Sequence, residues 1–256
     1  MIEGQFNTDT AALARRIQAH QRFGGRDLDG WVREQVEIGE GNRVLDLGCG
    51  TGKQALPAAR AVGATGRVTA VDLSEEAVAA VRRAADEGGF GDRVETFNAG
   101  FDEVDGVLGD RTFDRVVSCY ALYYVREARP LFEALHRRMR TGATLFFCGP
   151  ARANNRELKE FHHRLQGGEP AGIAAAEFME GTGQHLAREL FGRVEVSTFE
   201  NPLRFDSPGA LHTYWSSYNL YNPALDDAFR AAAEEHFARA GVFETVKRVL
   251  GVKAYR

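Results

Sequence analysis

"VLDLGCGTGKQ", residues 44–54, decides how this chain is read. An apolar run ends in three glycines at alternate positions, Gly48, Gly50 and Gly52. "NRVLDLG" (42–48) reads as a short strand, and "KQALPAARAV" (53–62) as the helix that follows. A strand, a glycine turn and a helix put the turn at the carboxyl end of a parallel sheet, where doubly wound folds bind ligands. Glycine there permits positive φ and removes the Cβ that would hold a ligand off. The spacing is G-x-G-x-G, whereas the dinucleotide fingerprint G-x-G-x-x-G needs glycine where Lys53 stands. Asp46 precedes the turn; an acid there would repel a pyrophosphate and suits a cationic ligand. Pro57, beyond the first turn of a helix starting at 53, predicts a kink.

Outward from this stretch, strands and helices alternate. Strands are expected over 66–74, 92–100, 112–120 and 141–150, and helices over 74–87 and 127–140. Ser74 is the expected cap of the helix over 74–87, with Glu75 and Glu76 in its first turn. Upstream, 8–22 reads as an amphipathic helix capped by Thr8 or Asp9, with Leu13 and Ile17 on one face, and 29–38 as a second helix. After Pro150 the rhythm changes. Helices are expected over 152–166 and 173–190 around the "QGGEPAG" loop, then a strand over 192–205, helices over 207–218 and 223–240, and a closing strand over 244–256. The pattern implies an α/β fold, a doubly wound, seven-stranded, mostly parallel sheet with a helical N-terminal arm and late helical insertions. It reads as a single domain over 1–256: arm 1–40, ligand-binding core 41–150, helical insertion 151–190, and the remaining sheet over 191–256 with a helical insertion at 207–240.

Composition narrows the function. The chain has 256 residues, 44% hydrophobic and 27% charged, with net charge −4, a balance that does not favour nucleic acid or an acidic membrane. No apolar run approaches the roughly 18 residues of a membrane span, and no secretory leader is expected. Cys49, Cys119 and Cys148 lack metal-ligand spacing and read as reduced thiols, so a cytoplasmic location and no metal are expected. Between Arg129 and Arg164, eight Lys/Arg face three Asp/Glu. A solvated helix face is the plain reading, and a landing site for an anionic substrate the sharper one.

"VLDLGCGTG" resembles the first motif of class I S-adenosylmethionine-dependent methyltransferases, and the resemblance continues in order. "VTAVDLSEEAV" (68–78) is similar to their second motif. It implies that Asp72 holds the ribose hydroxyls and that Leu73 lies against adenine; one carboxylate can accept from both hydroxyls. "FDRVVSCYALYYV" (113–125) resembles the fourth motif and "GATLFFCGP" (142–150) the fifth strand, while the terminal strand resembles that fold's last one, usually antiparallel. The resemblance covers roughly 40–150 and, loosely, the last strand. It implies S-adenosylmethionine as cofactor, held by Asp46, Gly48, Gly50, Thr51, Gly52, Asp72, Leu73, Phe101 and Ser118. The third motif's adenine-binding acid is missing, since Gly100 and Phe101 stand there; Asp102 or backbone groups are the substitutes. No N-P-P-Y tetrapeptide follows the fourth strand, which argues against the nucleobase and glutamine-amide methyltransferases that use it.

Methyl transfer from a sulfonium needs alignment and sometimes proton removal, so catalytic candidates rest on position. Tyr120 and Tyr123 follow the fourth strand and share a face if the segment is helical; they touch the ligand or are core aromatics. Asn154 and Asn155 follow the fifth strand, one expected to cap the next helix and the other to bind substrate. His162 is a general-base candidate, and the plainer reading puts it with His163 on a basic surface. "LHTYWSSYNLYNP" (211–223) supplies Tyr214, Tyr218 and Tyr221 as substrate-wall candidates, the alternative being a packing or dimer surface. In the arm, Arg26 is the candidate for the methionyl carboxylate, beside a Gly24–Gly25 turn.

The expected function is methyl transfer to O or N of a small-molecule metabolite by a monomer or homodimer. Two alternatives stay open. The same cofactor site serves transfer or cyclisation of the aminocarboxypropyl arm, and it also serves a non-catalytic S-adenosylmethionine-binding protein.

Overall fold

The computed structural model describes residues 10–167, 174–218 and 220–256. The capping candidates Thr8 and Asp9, the Leu13 side chain and most of the loop at 166–172 lie outside them. The chain divides into two compact units. A sheet unit takes residues 28–151, 174–198 and 250–256; a helical unit takes 1–27, 152–173 and 199–249.

In the sheet unit, helix α2 (Leu28–Val36) leads into β1 (Arg43–Leu47), α3 (Ala55–Ala61), β2 (Arg67–Asp72), α4 (Glu75–Glu87) and β3 (Val94–Asn98). Then come α5 (Val104–Leu108), β4 (Phe113–Cys119), α6 (Ala128–Arg138) and β5 (Met139–Pro150). After the helical unit's α7 (Arg156–Gln166), helices α8 (Ala174–Glu180) and α9 (Thr182–Leu190) return to the sheet unit. Strands β6 (Arg193–Phe205) and β7 (Phe243–Tyr255) each run from one unit into the other. The seven strands stand in the order β3-β2-β1-β4-β5-β7-β6. β1 pairs in parallel with β2 and β4, β2 with β3, and β4 with β5. Gly142 N donates to Arg256 O and Arg256 N to Ala143 O, each at 3.0 Å, so the chain end runs antiparallel to β5. The winding changes direction between β1 and β4, which opens a crevice at their carboxyl ends.

Strand interiors are apolar on both faces because helices cover them; Val44, Leu45, Leu47, Val68, Val71 and Val116 are buried. The buried cluster continues through Phe132, Leu135, Leu145 and Phe147. Ser74 caps α4 as expected, its side chain accepting from Ala77 N.

Three expectations are corrected here. The helix after the glycine turn starts at Ala55 rather than 53, with Gln54 as its cap. Pro57 therefore lies in the first turn, where a missing N–H removes no helical bond, and no kink is needed. The helix expected over 173–190 is two helices broken at Gly181. A Cβ on Gly181 would stand 2.7 Å from Glu177 O, so this turn accepts only glycine. The helix expected from 152 begins at Arg156.

The helical unit contains α1 (Thr10–Phe23), α7, α10 (Pro208–Ser216) and α11 (Asp226–Ala240). Its core is aromatic: Phe161, Phe205, Tyr214, Trp215, Phe229 and Phe243 pack with Leu158, Leu203 and Leu211. Trp215 stacks on Phe229 with ring centroids 4.0 Å apart and planes 4° from parallel.

Candidate functional site

The glycine turn closes against β2. Gly48 N and Cys49 N both donate to Val71 O, at 2.8 and 3.0 Å. Gly48 has φ 70°, and a Cβ there would sit 2.3 Å from Ala121 Cβ, so the loop and the chain after β4 touch through a missing side chain. Gly50 has φ 51°, and a Cβ built on it would meet nothing within 4 Å. That backbone lies open, as a ligand cradle requires. Thr51 is exposed beside it, and Gly52 is buried.

Two acids stand at the strand ends. Asp72 accepts from Gly50 N through Oδ2 at 2.8 Å and from Ser74 N through Oδ1 at 2.9 Å. Its neighbour Leu73 is 57% exposed, an unusual condition for leucine and one that suits a flat apolar ligand face. Asp46 is buried, and its Oδ2 has no hydrogen-bond partner. Burial pushes its carboxyl up to about 7, against the opposing bond to the Ala55 backbone and with the Asp72 charge adding to it. An orphaned buried carboxylate oxygen is costly, and a bound cation or hydrogen-bond donor relieves the cost.

Other candidates fall as follows. Ser118 is fully buried and donates to Leu47 O at 2.7 Å, which spends its proton inside the sheet. Phe101 is half-buried against the core. Asp102 is exposed, and the Gly100 N–H donates to Glu103 Oε2 at 2.9 Å. The chain after β4 is not an α-helix: Tyr120 takes φ 58° and a 3₁₀ turn covers Leu122–Tyr124. The shared helical face expected of Tyr120 and Tyr123 therefore does not form. Tyr120 N donates to Cys148 O at 2.8 Å, and the Tyr123 ring packs on Tyr124, centroids 4.7 Å apart. Sequence reasoning missed Asn98, whose Nδ2 donates to the carbonyls of Asp72 and Leu73 and so holds that strand end in place. Its place at the end of an expected strand was its only signal.

In the helical unit, Arg26 lies in a turn pinned by Asn201, whose Oδ1 accepts from Gly25 N and Arg26 N at 3.1 Å each. The Arg26 guanidinium donates to Glu200 O at 3.1 Å and lies 5.1 Å from the Phe199 ring centroid. Buried Asn201 escaped sequence reasoning; its place in the alternating register of Phe199, Leu203 and Phe205 could have flagged it. Neither asparagine at 154–155 caps α7 by its side chain. Asn154 Oδ1 accepts from Arg248 N at 2.9 Å. Asn155 has φ 50° and donates through Nδ2 to Tyr214 Oη at 3.0 Å and to Tyr218 Oη. Tyr214 and Tyr218 are thus brought together with Asn155. Tyr221 donates to Asp226 Oδ1 at 3.2 Å and packs edge-on against Trp215. His162 is buried rather than on the surface, and its Nδ1 accepts from Trp215 Nε1 at 3.2 Å. Burial and the neighbouring His163 hold its pKa below the usual histidine value.

Among the described residues, no group of three or more His, Cys, Asp and Glu is placed to hold a metal ion, and no helix is long and apolar enough to cross a membrane. The open backbone at Gly50, the orphaned Asp46 oxygen, the Asp72 carboxylate and exposed Leu73 fit a cationic adenine nucleoside.

Residues 44–142 match the family model described as a methyltransferase domain. The chain is 32% identical over 160 residues to the ubiquinone biosynthesis O-methyltransferase of Methylocella silvestris, covering 62% of this chain and 57% of that protein. It is 31% identical over 122 residues to the aklanonic acid methyltransferase DauC of a Streptomyces species, covering 46% of this chain and 54% of that protein. The chain thus spans little more than half the length of these relatives. The crystal structure of the YcgJ protein from Bacillus subtilis shares the fold at TM-score 0.57 and 15% identity, over 89% of this chain and 97% of that one. The glycine turn and both strand-end acids lie within residues 44–142, the stretch that matches the methyltransferase domain and whose fold is shared with the solved relative.

Proposed function

We propose that this protein transfers a methyl group from S-adenosylmethionine to an oxygen or nitrogen of a small-molecule metabolite. The observation that carries the reading is the buried, unpartnered Asp46 Oδ2 at the turn where Gly50 leaves its backbone open. S-adenosylmethionine supplies a methyl already activated on a sulfonium, so the protein's task is to bind, orient and exclude water. Asp46 answers the positive charge, Asp72 accepts from the ribose hydroxyls, and Leu73 covers one adenine face. The Gly50 N–H, held on Asp72, keeps loop and acid in register. A small-molecule acceptor is supported by relatives that the names ubiquinone biosynthesis O-methyltransferase and aklanonic acid methyltransferase describe.

The test is incubation with methyl-labelled S-adenosylmethionine and a metabolite extract, followed by mass spectrometry against a heat-killed control. S-adenosylhomocysteine together with a labelled metabolite is the expected outcome. Methylthioadenosine would mean that the aminocarboxypropyl arm is transferred or cyclised instead. Binding of S-adenosylmethionine with no turnover on any acceptor would make the protein a sensor.

A further inference from the structure

Within the sheet unit, exposed Leu73 offers a flat apolar face beside Asp72. Such a face suits any aromatic base, because every base has a π-face. Choosing one base over another needs a polar group at the edge of the ring. Asp102 and backbone groups are the candidates that the sequence supplies there, and the structure points to a different residue. Asp102 is exposed, and the Gly100 N–H is already given to Glu103 Oε2 at 2.9 Å. Glu103 N in turn donates to Gly100 O at 3.0 Å. The two bonds close a turn beyond the carboxyl end of β3 and bring the Glu103 carboxylate back to its start. A Cβ built on Gly100 would stand 3.6 Å from Glu103 Oε2 and 3.6 Å from Leu73 Cδ1. Carboxylate and leucine therefore flank one methyl-sized space, a span that a single purine bridges, and glycine at 100 puts no side chain into it. Asn98, the register partner of Asp72, fixes the other wall by donating to the carbonyls of Asp72 and Leu73 at 3.1 and 2.8 Å. The bond to Gly100 N uses one of a carboxylate's roughly four acceptor positions.

We propose that Glu103 selects the base: its carboxylate accepts a hydrogen bond from the exocyclic amino group of an adenine lying on Leu73. A carboxylate accepts and does not donate, so it favours a base edge that carries N–H and gains nothing from an edge of aromatic C–H. The proposal rests on the S-adenosylmethionine reading and adds to it the residue that determines which nucleoside is taken. The acid reaches the base from the first turn of α5, three residues beyond the position where the third motif would carry it.

The test titrates the full chain calorimetrically with S-adenosylhomocysteine and with its analogue bearing hydrogen in place of the 6-amino group. Wild type is expected to bind S-adenosylhomocysteine about tenfold more tightly than the analogue, the range for a bond to a charged group. Glu103→Ala lowers S-adenosylhomocysteine to the affinity of the analogue and leaves the analogue unmoved. Glu103→Gln, whose amide oxygen still accepts, keeps part of the preference. Adding Gly100→Asp to Glu103→Ala returns an acid to the same space and restores the preference. Equal affinity of wild type for the two ligands overturns the proposal, as does a preference that survives in Glu103→Ala. An equal loss of both ligands in Glu103→Ala also overturns it, leaving Glu103 as a brace for the turn. Adenosine and purine riboside, compared by saturation-transfer NMR, repeat the comparison without the methionyl arm. Base preference with no methyl transfer to any acceptor sinks the methyl-transfer reading and spares Glu103, whereas methyl transfer without base preference does the reverse. Binding of neither pair overturns both.

Discussion

The Gly50 N–H donates to Asp72 Oδ2 across 2.8 Å, tying the loop after β1 to the end of β2. The other Asp72 oxygen holds Ser74 N, the cap of α4. The acid expected to bind the ribose is also the knot of the cradle. Asp72→Ala is therefore expected to weaken S-adenosylhomocysteine binding by about 1–3 kcal/mol, the range for bonds to a charged group. Asp72→Asn should recover part of the loop order and little of the affinity. Calorimetric titration of both variants checks this; wild-type affinity in Asp72→Ala would remove the residue from the site.

Gly48 and Gly50 differ in what a methyl group would meet. Gly48→Ala drives a Cβ to 2.3 Å from Ala121 Cβ at a positive φ and is expected to cost about 2–4 kcal/mol of stability. Gly50→Ala meets no atom and bears only the conformational strain, about 1–2 kcal/mol, while its methyl intrudes where ligand approaches. Chemical denaturation should rank Gly48→Ala as the less stable, and titration should show Gly50→Ala losing ligand affinity out of proportion to its stability.

Asp46 makes the sheet unit pH-sensitive. Its carboxyl is pushed up to about 7 from an unfolded value of 3.8. Between these values the folded state keeps a proton that the unfolded chain has lost. Unfolding free energy therefore falls as pH rises from about 4 to 7, by up to about 4 kcal/mol at 1.36 kcal/mol per unit, and levels above. Denaturation of wild type against Asp46→Asn across this range should show the slope only in wild type. A cationic ligand favours the ionised acid, so binding S-adenosylmethionine near pH 6.5 should release a proton, read from the buffer dependence of the binding heat.

His162 is expected to matter for stability through Trp215. Replacing it with Ala leaves the Trp215 N–H buried without an acceptor and opens a cavity, costing about 2–4 kcal/mol. Adding Trp215→Phe should cost less than the two single changes summed, because the orphaned donor is gone. Its depressed pKa also means that unfolded chains take up the proton first as pH drops below about 6.5, so this histidine's contribution is lost toward acid. Strict additivity in the double-mutant cycle would separate the two residues.

The strand–turn–helix alternation, the cradle glycines and the two acids were legible because each depends on short-range geometry. A positive-φ turn needs glycine, a cap needs serine, and a buried strand needs an apolar run. The errors arose where a boundary moved by a few residues: Pro57 changed from a kink to an ordinary first-turn residue when α3 began at Ala55. Tyr120 and Tyr123 follow the end of β4 as the sequence implies, but a shared face needs a helix that the chain does not form there.

The sequence by itself determined the sheet, the ligand edge and the acids that stand there, because backbone preference and side-chain period are encoded locally. Only the tertiary structure decided what the distant polar residues do. His162 finds Trp215 across 53 positions, and Asn155 finds Tyr214 across 59. His20 reaches Tyr214 across 194. Hydrogen bonds carry no sequence period, and whether a buried polar atom is satisfied or left open depends on which side chains converge on it in space.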